Sequence, residues 1–338
     1  RRPWYNGESE AFKDPKIDQY PEDVYVSYLD FDSTWTEPVR LQFCEPNANE
    51  ATIAVSVDER RIYVYDDSKG GGDLYFSDFK NSKFRELAHL DNSSINTPFW
   101  EPHCMVSNDG KFLFFSSDRP GGFGGLDIYY STKTPEGTWS EPINMGPEIN
   151  GPYDDDSPFI SITNDFLYFA TNDARSMGGY DIMIASLIGD KWGNVENMGY
   201  PFNRTNDDLY YTTTIDGLQG YLTSYRPEGE GEKDIYEIFN KRRKFRPIIV
   251  LHGEIITEDG TPLPENIEFI VDIKCLDCDT KEYDHKIFPR PRDGVFMSTL
   301  RPCKMYELTY RDLSDGKIIG QESFLTDCEG EISTIYKN

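Results

Sequence analysis

The sequence predicts an all-β chain: a β-propeller of about five blades followed by a small transthyretin-like β-sandwich. The main observation is a recurring tripeptide: Asp23-Val24-Tyr25, Asp73-Leu74-Tyr75, Asp127-Ile128-Tyr129, Asp181-Ile182-Met183 and Asp234-Ile235-Tyr236, spaced 50, 54, 54 and 53 residues apart. Repeats of that length, built from short strand-like pieces, are the mark of propeller blades. A second observation is the change of pattern after residue 247, where the repeat stops and period-two apolar alternation begins.

The first unit is abbreviated, and only its last two strands, around Tyr25 and Trp35, are legible. The second carries Asp66-Asp67-Ser68-Lys69-Gly70 as its central turn. The third, Asn96 to Gly146, is the fullest. Its turn Ser107-Asn108-Asp109-Gly110 leads into the apolar run Phe112-Leu113-Phe114-Phe115. Ser117-Asp118-Arg119-Pro120-Gly121-Gly122 and Gly124-Gly125 then form a hairpin, Asp127-Ile128-Tyr129 a third strand, and Thr138-Trp139-Ser140 the close. Four strands separated by Gly, Pro, Asn and Asp clusters are implied. The fourth unit repeats this order from Leu167 to Trp192, and the fifth through Ser224-Tyr225-Arg226 and Asp234-Ile235-Tyr236. The propeller is therefore expected over residues 1–240, a basic linker over 241–247 and the sandwich over 248–338.

Within the sandwich, Ile248 to Ile256 runs toward the turn Glu258-Asp259-Gly260-Thr261-Pro262-Leu263, and Ile267, Phe269, Val271 and Ile273 alternate. Strands around Val295, Met305 and Phe324 follow.

The Phe115 to Gly122 segment with Asp127-Ile128-Tyr129 resembles the PD40 or WD40-like repeat of the TolB propeller and of peptidoglycan-associated lipoproteins of the OmpA family. Residues 248–338 resemble the carboxypeptidase regulatory-like domain through the Asp259-Gly260-Thr261-Pro262-Leu263 turn and Leu300-Arg301-Pro302, although Cys303 stands where that family has glycine. The order propeller then sandwich is similar to the middle of periplasmic OmpA-family lipoproteins, one of which belongs to the type IX secretion system. That family has helical repeats before this region and a peptidoglycan-binding domain after it. The resemblance thus implies peptidoglycan attachment only through a domain outside this chain.

Charge is unevenly distributed. Residues 1–240 hold 19 Lys and Arg against 42 Asp and Glu, a net of −23, whereas residues 241–338 hold 15 against 18, a net of −3. A chain at −26 overall repels nucleic acid. Lys241-Arg242-Arg243-Lys244-Phe245-Arg246 therefore reads as a linker drawn to its acidic neighbour, the alternative being a nucleic-acid or anionic-lipid patch. No run of about 18 apolar residues is present to insert in a membrane. A start at Arg1 without methionine reads as a mature form or a fragment.

Four of six cysteines, Cys275, Cys278, Cys303 and Cys328, fall in the sandwich. That density predicts disulfides and an oxidising compartment, with three pairings open. A zinc or redox role for Cys275-Leu276-Asp277-Cys278 is the alternative. Cys44 and Cys104 read as buried thiols.

Catalytic signatures are missing: there are four histidines, and neither His-Glu-x-x-His nor Gly-x-Ser-x-Gly occurs. One constellation stands out. Glu50, Glu101, Asp155 and Asp208 fall at one register, six residues before the equivalent positions Ser56, Ser107, Ser161 and Thr214. They could ring the channel mouth, thickened by Asp154, Asp156 and Asp207, with Lys69, Arg119, Arg175 and Arg226 on the same face. Such a ring would take a cation such as calcium, or a basic peptide. The competing reading is that each carboxylate caps backbone amides or pairs with an arginine, repeated because the blade is repeated.

The expectation is a non-catalytic, protein-binding scaffold, periplasmic and outer-membrane-associated, without a cofactor. A carbohydrate-active propeller enzyme or lectin is the alternative, since propellers can hold catalytic carboxylates around the channel.

Overall fold

A computed structural model describes residues 22–28, 34–45, 48–56, 59–80, 83–90, 94–214, 217–229, 233–239, 248–256, 268–278, 284–290, 294–328 and 332–337. The basic segment 241–247 and the turn from Glu258 to Leu263 lie outside the described residues. Among those described, the chain is all-β, and no helix is long and apolar enough to cross a membrane.

Five sheets follow one another in sequence order. The first pairs β1 (Tyr25–Val26) with β2 (Val39–Arg40). The second contains β3 (Glu50–Val55), β4 (Arg61–Asp66), β5 (Asp73–Lys80) and β6 (Lys83–Phe84), with β7 (Ala88–His89) also paired to β5. The third contains β8 (Cys104–Val106), β9 (Phe112–Ser117), β10 (Asp127–Thr132) and β11 (Ile143–Asn144). The fourth contains β12 (Asp155–Ile160), β13 (Phe166–Thr171), β14 (Asp181–Ile188) and β15 (Lys191–Asn197), and the fifth β16 (Asp208–Thr213), β17 (Gln219–Ser224) and β18 (Asp234–Phe239). In the second to fifth sheets the recurring tripeptide opens the third strand, as its spacing predicts.

The central strands β9 and β13 of the third and fourth sheets are buried on both faces, which is why they read as continuous apolar runs rather than as strict alternation. The fifth sheet leaves Tyr221, Ile235 and Phe239 exposed on one face. In β9, Leu113 and Phe115 pack with Tyr63 and Leu74 of the second sheet. Phe114, which points the opposite way because side chains alternate along a strand, packs with Leu167 and Phe169 of the fourth. Tyr168 and Ile182 meet Leu209 and Leu222 of the fifth, and Val24 and Leu41 of the first meet Ile62 and Val64 of the second. Burying one such side chain contributes roughly 1.5–3 kcal/mol. The inner strands β3, β12 and β16 each shift register, between Thr52 and Ala54, Asp156 and Phe159, and Leu209 and Thr212.

Two sheets form the sandwich. One contains β19 (Ile248–Glu254), β22 (Val295–Leu300) and β25 (Ile332–Lys337), with β19 between its two partners; the other orders β21 (His285–Ile287), β20 (Phe269–Cys275), β23 (Met305–Asp312) and β24 (Ile318–Leu325). Their shared core joins Ile249, Leu251 and Phe296 to Val271, Ile273 and Leu308. Cys275 is bonded to Cys278, and Cys303 to Cys328. Cys303 has a φ of 55°, the left-handed region that ordinarily selects glycine. Cys44 and Cys104 are free and buried.

The β3–β4 connection holds the sandwich. Arg60 donates from Nε and Nη2 to Pro289 O at 3.3 and 3.0 Å, its guanidinium lies 5.4 Å from the Phe288 ring centre, and Arg290 Nη1 reaches Glu59 Oε1 at 3.0 Å.

Candidate functional site: the upper face and the channel

The conserved order of strands defines two faces. Each inner strand begins on one of them, here called the upper face, and the hairpin between second and third strands returns to it. First-to-second strand connections, including Glu59 and Arg60, lie on the lower face. The sandwich therefore docks below, leaving the upper face clear of it.

The four repeated carboxylates stand where the inner strands begin, yet they are turned into the blades and are at most 1% exposed. Glu101 accepts from Thr97 N at 3.0 Å, Ser117 Oγ at 2.6 Å and Arg119 Nη2 at 3.2 Å. Asp155 accepts from Gly151 N at 2.5 Å, with Arg175 Nη2 at 3.8 Å. Asp208 accepts from Arg204 N at 2.7 Å, and Glu50 from Glu45 N at 2.6 Å. The second of the two sequence readings, amide capping and arginine pairing, matches this geometry; an open acidic ring does not. Burial comes first in pushing all four pKa values upward, Asp155 to about 6 and Glu50 to about 7.

The hairpin cations are fasteners as well. Arg119 donates to Ser94 O and Ile95 O at 2.7 Å each, and its guanidinium lies 5.0 Å from the Phe115 and Tyr129 ring centres. Arg175 chelates Asp173, and Arg226 donates to Pro201 O while lying 4.2 Å from the Tyr236 ring centre. Lys69 departs from the pattern: its ammonium is 5.7 Å from the Tyr75 ring centre. Asp154 and Asp207 serve neighbouring blades, accepting from Leu126 N and Tyr180 N.

A set of asparagines absent from the sequence prediction ties blade to blade. Asn96, Asn150 and Asn203 each bond both backbone groups of the middle tripeptide residue of the preceding blade, Leu74, Ile128 and Ile182 respectively. Cys44 holds the same position against Val24, whose N–H donates to Sγ at 3.3 Å. In the third and fourth blades the network continues outward. Asn144 donates to Asp127 and accepts from Asn150, as Asn197 does with Asp181 and Asn203.

Two other features face outward. His103, from the third blade, places its ring 5.0 Å from that of Tyr210 in the fifth blade, so the two meet across the channel. His103 Nδ1 and Asp156 Oδ1 are 2.8 Å apart, and Ser116 Oγ donates to the same oxygen at 2.6 Å. Burial acts to raise the Asp156 carboxyl, but His103 and Ser116 outweigh it and hold it below its ordinary value. Burial, with repulsion from Asp156, pushes Tyr210 up to about 12. Ser157 and Tyr210 both adopt positive φ, 53° and 57°, at equivalent inner-strand positions where the register shifts.

Around this channel the upper-face loops present Phe99, Trp100, Phe123, Tyr153, Met177, Tyr200 and Tyr225, all between 40% and 74% exposed. Their loops are held firmly. Gly125 N donates to Tyr153 O at 2.7 Å, and Gly124 passes so near that a Cβ there would fall 1.8 Å from the same oxygen. Glycine is thus required for one blade's hairpin to lie against the next blade's loop.

No family model matches the chain, and no curated protein matches it in sequence. Among solved structures it is similar to TolB from Acinetobacter baumannii, at 12% identity and a TM-score of 0.43, covering 88% of this chain and 59% of that one. It is also similar to a putative TolB from Agrobacterium tumefaciens, at 12% identity and a TM-score of 0.41, covering 82% of this chain and 91% of that one. A fructofuranosidase from Schwanniomyces occidentalis complexed with fructose gives 9% identity and a TM-score of 0.41 over 92% of this chain and 84% of that one. The chain spans 59% of the length of the first of these structures.

Proposed function

We propose that this chain is a non-catalytic, protein-binding module of a periplasmic cell-envelope assembly, working within a larger peptidoglycan-anchored lipoprotein at the outer membrane. The finer version of this reading, a component similar to PorE of the type IX secretion system, rests on the sequence resemblance of the propeller and sandwich. The observation that carries the binding role is the exposed aromatic upper face. Aromatic residues and methionine are enriched at the centres of protein interfaces, where rigid rings gain contact area at low entropic cost. Here they stand on loops fixed by inter-blade hydrogen bonds, so little ordering remains to be done on binding.

Photo-crosslinking residues placed at Tyr153 and Tyr200 on the upper face, and at Asp109 and Glu136 on the lower, test this in intact cells. Adducts with one defined envelope protein from the upper positions alone are expected. Equal labelling from both faces would count against the reading.

The channel favours a second reading. A histidine oriented by a buried carboxylate beside a tyrosine is the composition of an acid–base site, which suits a carbohydrate-active enzyme or lectin. Turnover of envelope glycans that disappears in His103→Ala would replace the scaffold reading with this one.

A further inference from the structure

We propose that the junction between the first two blades is a zinc site, with Asp23, Cys44 and Glu50 as its protein ligands.

The first junction departs from the later ones. In the third and fourth blades the aspartate of the tripeptide is joined to the blade-tying asparagine through a second asparagine, so carboxylate charge is met by amide donors. At the first junction the two amides are replaced by Arg40 and Cys44. Arg40 Nη2 lies 2.7 Å from Asp23 Oδ1, and the Cys44 thiol takes the place of the amide, its sulfur accepting from Val24 N at 3.3 Å and its S–H donating to Val24 O at 3.8 Å. The carboxylate at the start of the inner strand has also lost its usual company. Glu101 faces Ser117 and Arg119, and Asp155 faces Thr171 and Arg175, whereas Glu50 is paired across the ladder with Asp66, and the hairpin cation Lys69 is turned to Tyr75. Glu50 Oε2 is buried without a hydrogen-bond partner among the described residues, on a side chain 1% exposed. Asp155 Oδ1 and Asp208 Oδ1 likewise lack a hydrogen bond, but of the three only Glu50 has a thiol and a second carboxylate beside it among the described residues. An uncompensated buried carboxylate oxygen is costly and calls for a cation.

The donors for one are already assembled. A carboxylate oxygen of Asp23, the sulfur of Cys44 and a carboxylate oxygen of Glu50 all lie within 4.8 Å of one another. Zinc bonds of about 2.0–2.3 Å require tetrahedral ligands roughly 3–4 Å apart, so contraction from the present spacing is small. Thiolate with carboxylate is a donor set suited to zinc and ill suited to calcium or magnesium, which take oxygen alone. Charge closes as well: two carboxylates and a thiolate, offset by Arg40, leave two negative charges for a divalent ion. The backbone N–H of Val24, which points at Cys44 Sγ, and Arg40, which holds Asp23, would then orient the ligands from behind. Zinc bound here would join the shortened first blade to the second.

The test uses the full chain with both disulfides oxidised, titrated with zinc by calorimetry and with cobalt(II) by absorption. One zinc per chain is expected, with a raised melting temperature and a sulfur-to-cobalt charge-transfer band. Cys44→Asn installs the residue that the other junctions use and should fold normally while losing at least about 100-fold in zinc affinity. Glu50→Gln keeps the acceptor for Glu45 N, so it decides the matter should Cys44→Asn lose its fold; it too should bind more weakly. Absence of stoichiometric zinc uptake by the wild type, or unchanged affinity in Cys44→Asn or Glu50→Gln, overturns the proposal.

Discussion

Asn150 clasps Ile128 from both sides: its Nδ2 donates to Ile128 O at 2.9 Å, and its Oδ1 accepts from Ile128 N at 2.8 Å. A side-chain amide here does what a neighbouring β-strand would do. The same pair of bonds recurs at Asn96 on Leu74 and Asn203 on Ile182.

Truncating this clasp should be costly. Asn150→Ala leaves the buried N–H of Ile128 without a partner, leaves its C=O only the bond from Met145 N, and also strips Asn144 of a donor. Each buried orphan costs about 1–3 kcal/mol. Urea denaturation should show a loss of roughly 2–4 kcal/mol, well beyond that of an exposed control such as Asn206→Ala. A loss equal to the control would mean that water takes over the role of the amide.

The pH dependence of stability should carry the signature of Asp155. Its folded pKa of about 6 lies above the ordinary aspartate value because burial outweighs the bonds from Gly151, Thr171 and Arg175. An acid with a raised folded pKa takes up a proton on folding, so its contribution to stability is lost as pH rises from about 4 to about 6 and stays lost above that. Asp155→Asn has no such titration. The melting temperature of the variant relative to wild type should therefore climb across that window, by the equivalent of roughly 1–3 kcal/mol, and level off beyond it. A pH-independent difference would show that the carboxylate ionises as freely in the folded protein as in the unfolded one.

Cysteine state gives a direct readout of compartment. Mass spectrometry of unreduced protein, digested after alkylation, should return Cys275 linked to Cys278 and Cys303 linked to Cys328. Cys44 and Cys104 should alkylate only after unfolding, since both are buried thiols. Four free thiols in the sandwich would remove the argument for an oxidising environment.

The fold was legible because its punctuation has a mechanical origin. Asp127, the first residue of its tripeptide, accepts from Phe123 N and Gly124 N, closing the hairpin ahead of the third strand, so the aspartate and the glycines must travel together. The direction of the Glu50, Glu101, Asp155 and Asp208 side chains was not legible. Register places a residue along a strand, but whether its side chain faces the channel or the blade depends on the loop amides it meets. The blade-tying positions are visible as Phe43-Cys44, Ile95-Asn96, Ile149-Asn150 and Phe202-Asn203, spaced 52, 54 and 53 residues apart, although Cys44 disguises the series. His103 and Tyr210 belong to blades that are not adjacent, and no local pattern announces such a meeting.

The asparagine clasps also give the propeller a direction in time. Each one reaches back 21 or 22 residues to the strand it secures. During synthesis or translocation, a blade's third strand emerges before the residue that will fasten it, and the fastening is delivered by the opening of the following blade. Assembly is in that sense a relay, in which each blade is finished only by the arrival of its successor. A chain stalled between Tyr129 and Asn150 would leave the third blade formed but unfastened, exposing the polar groups of Ile128 to whatever chaperone or protease is at hand.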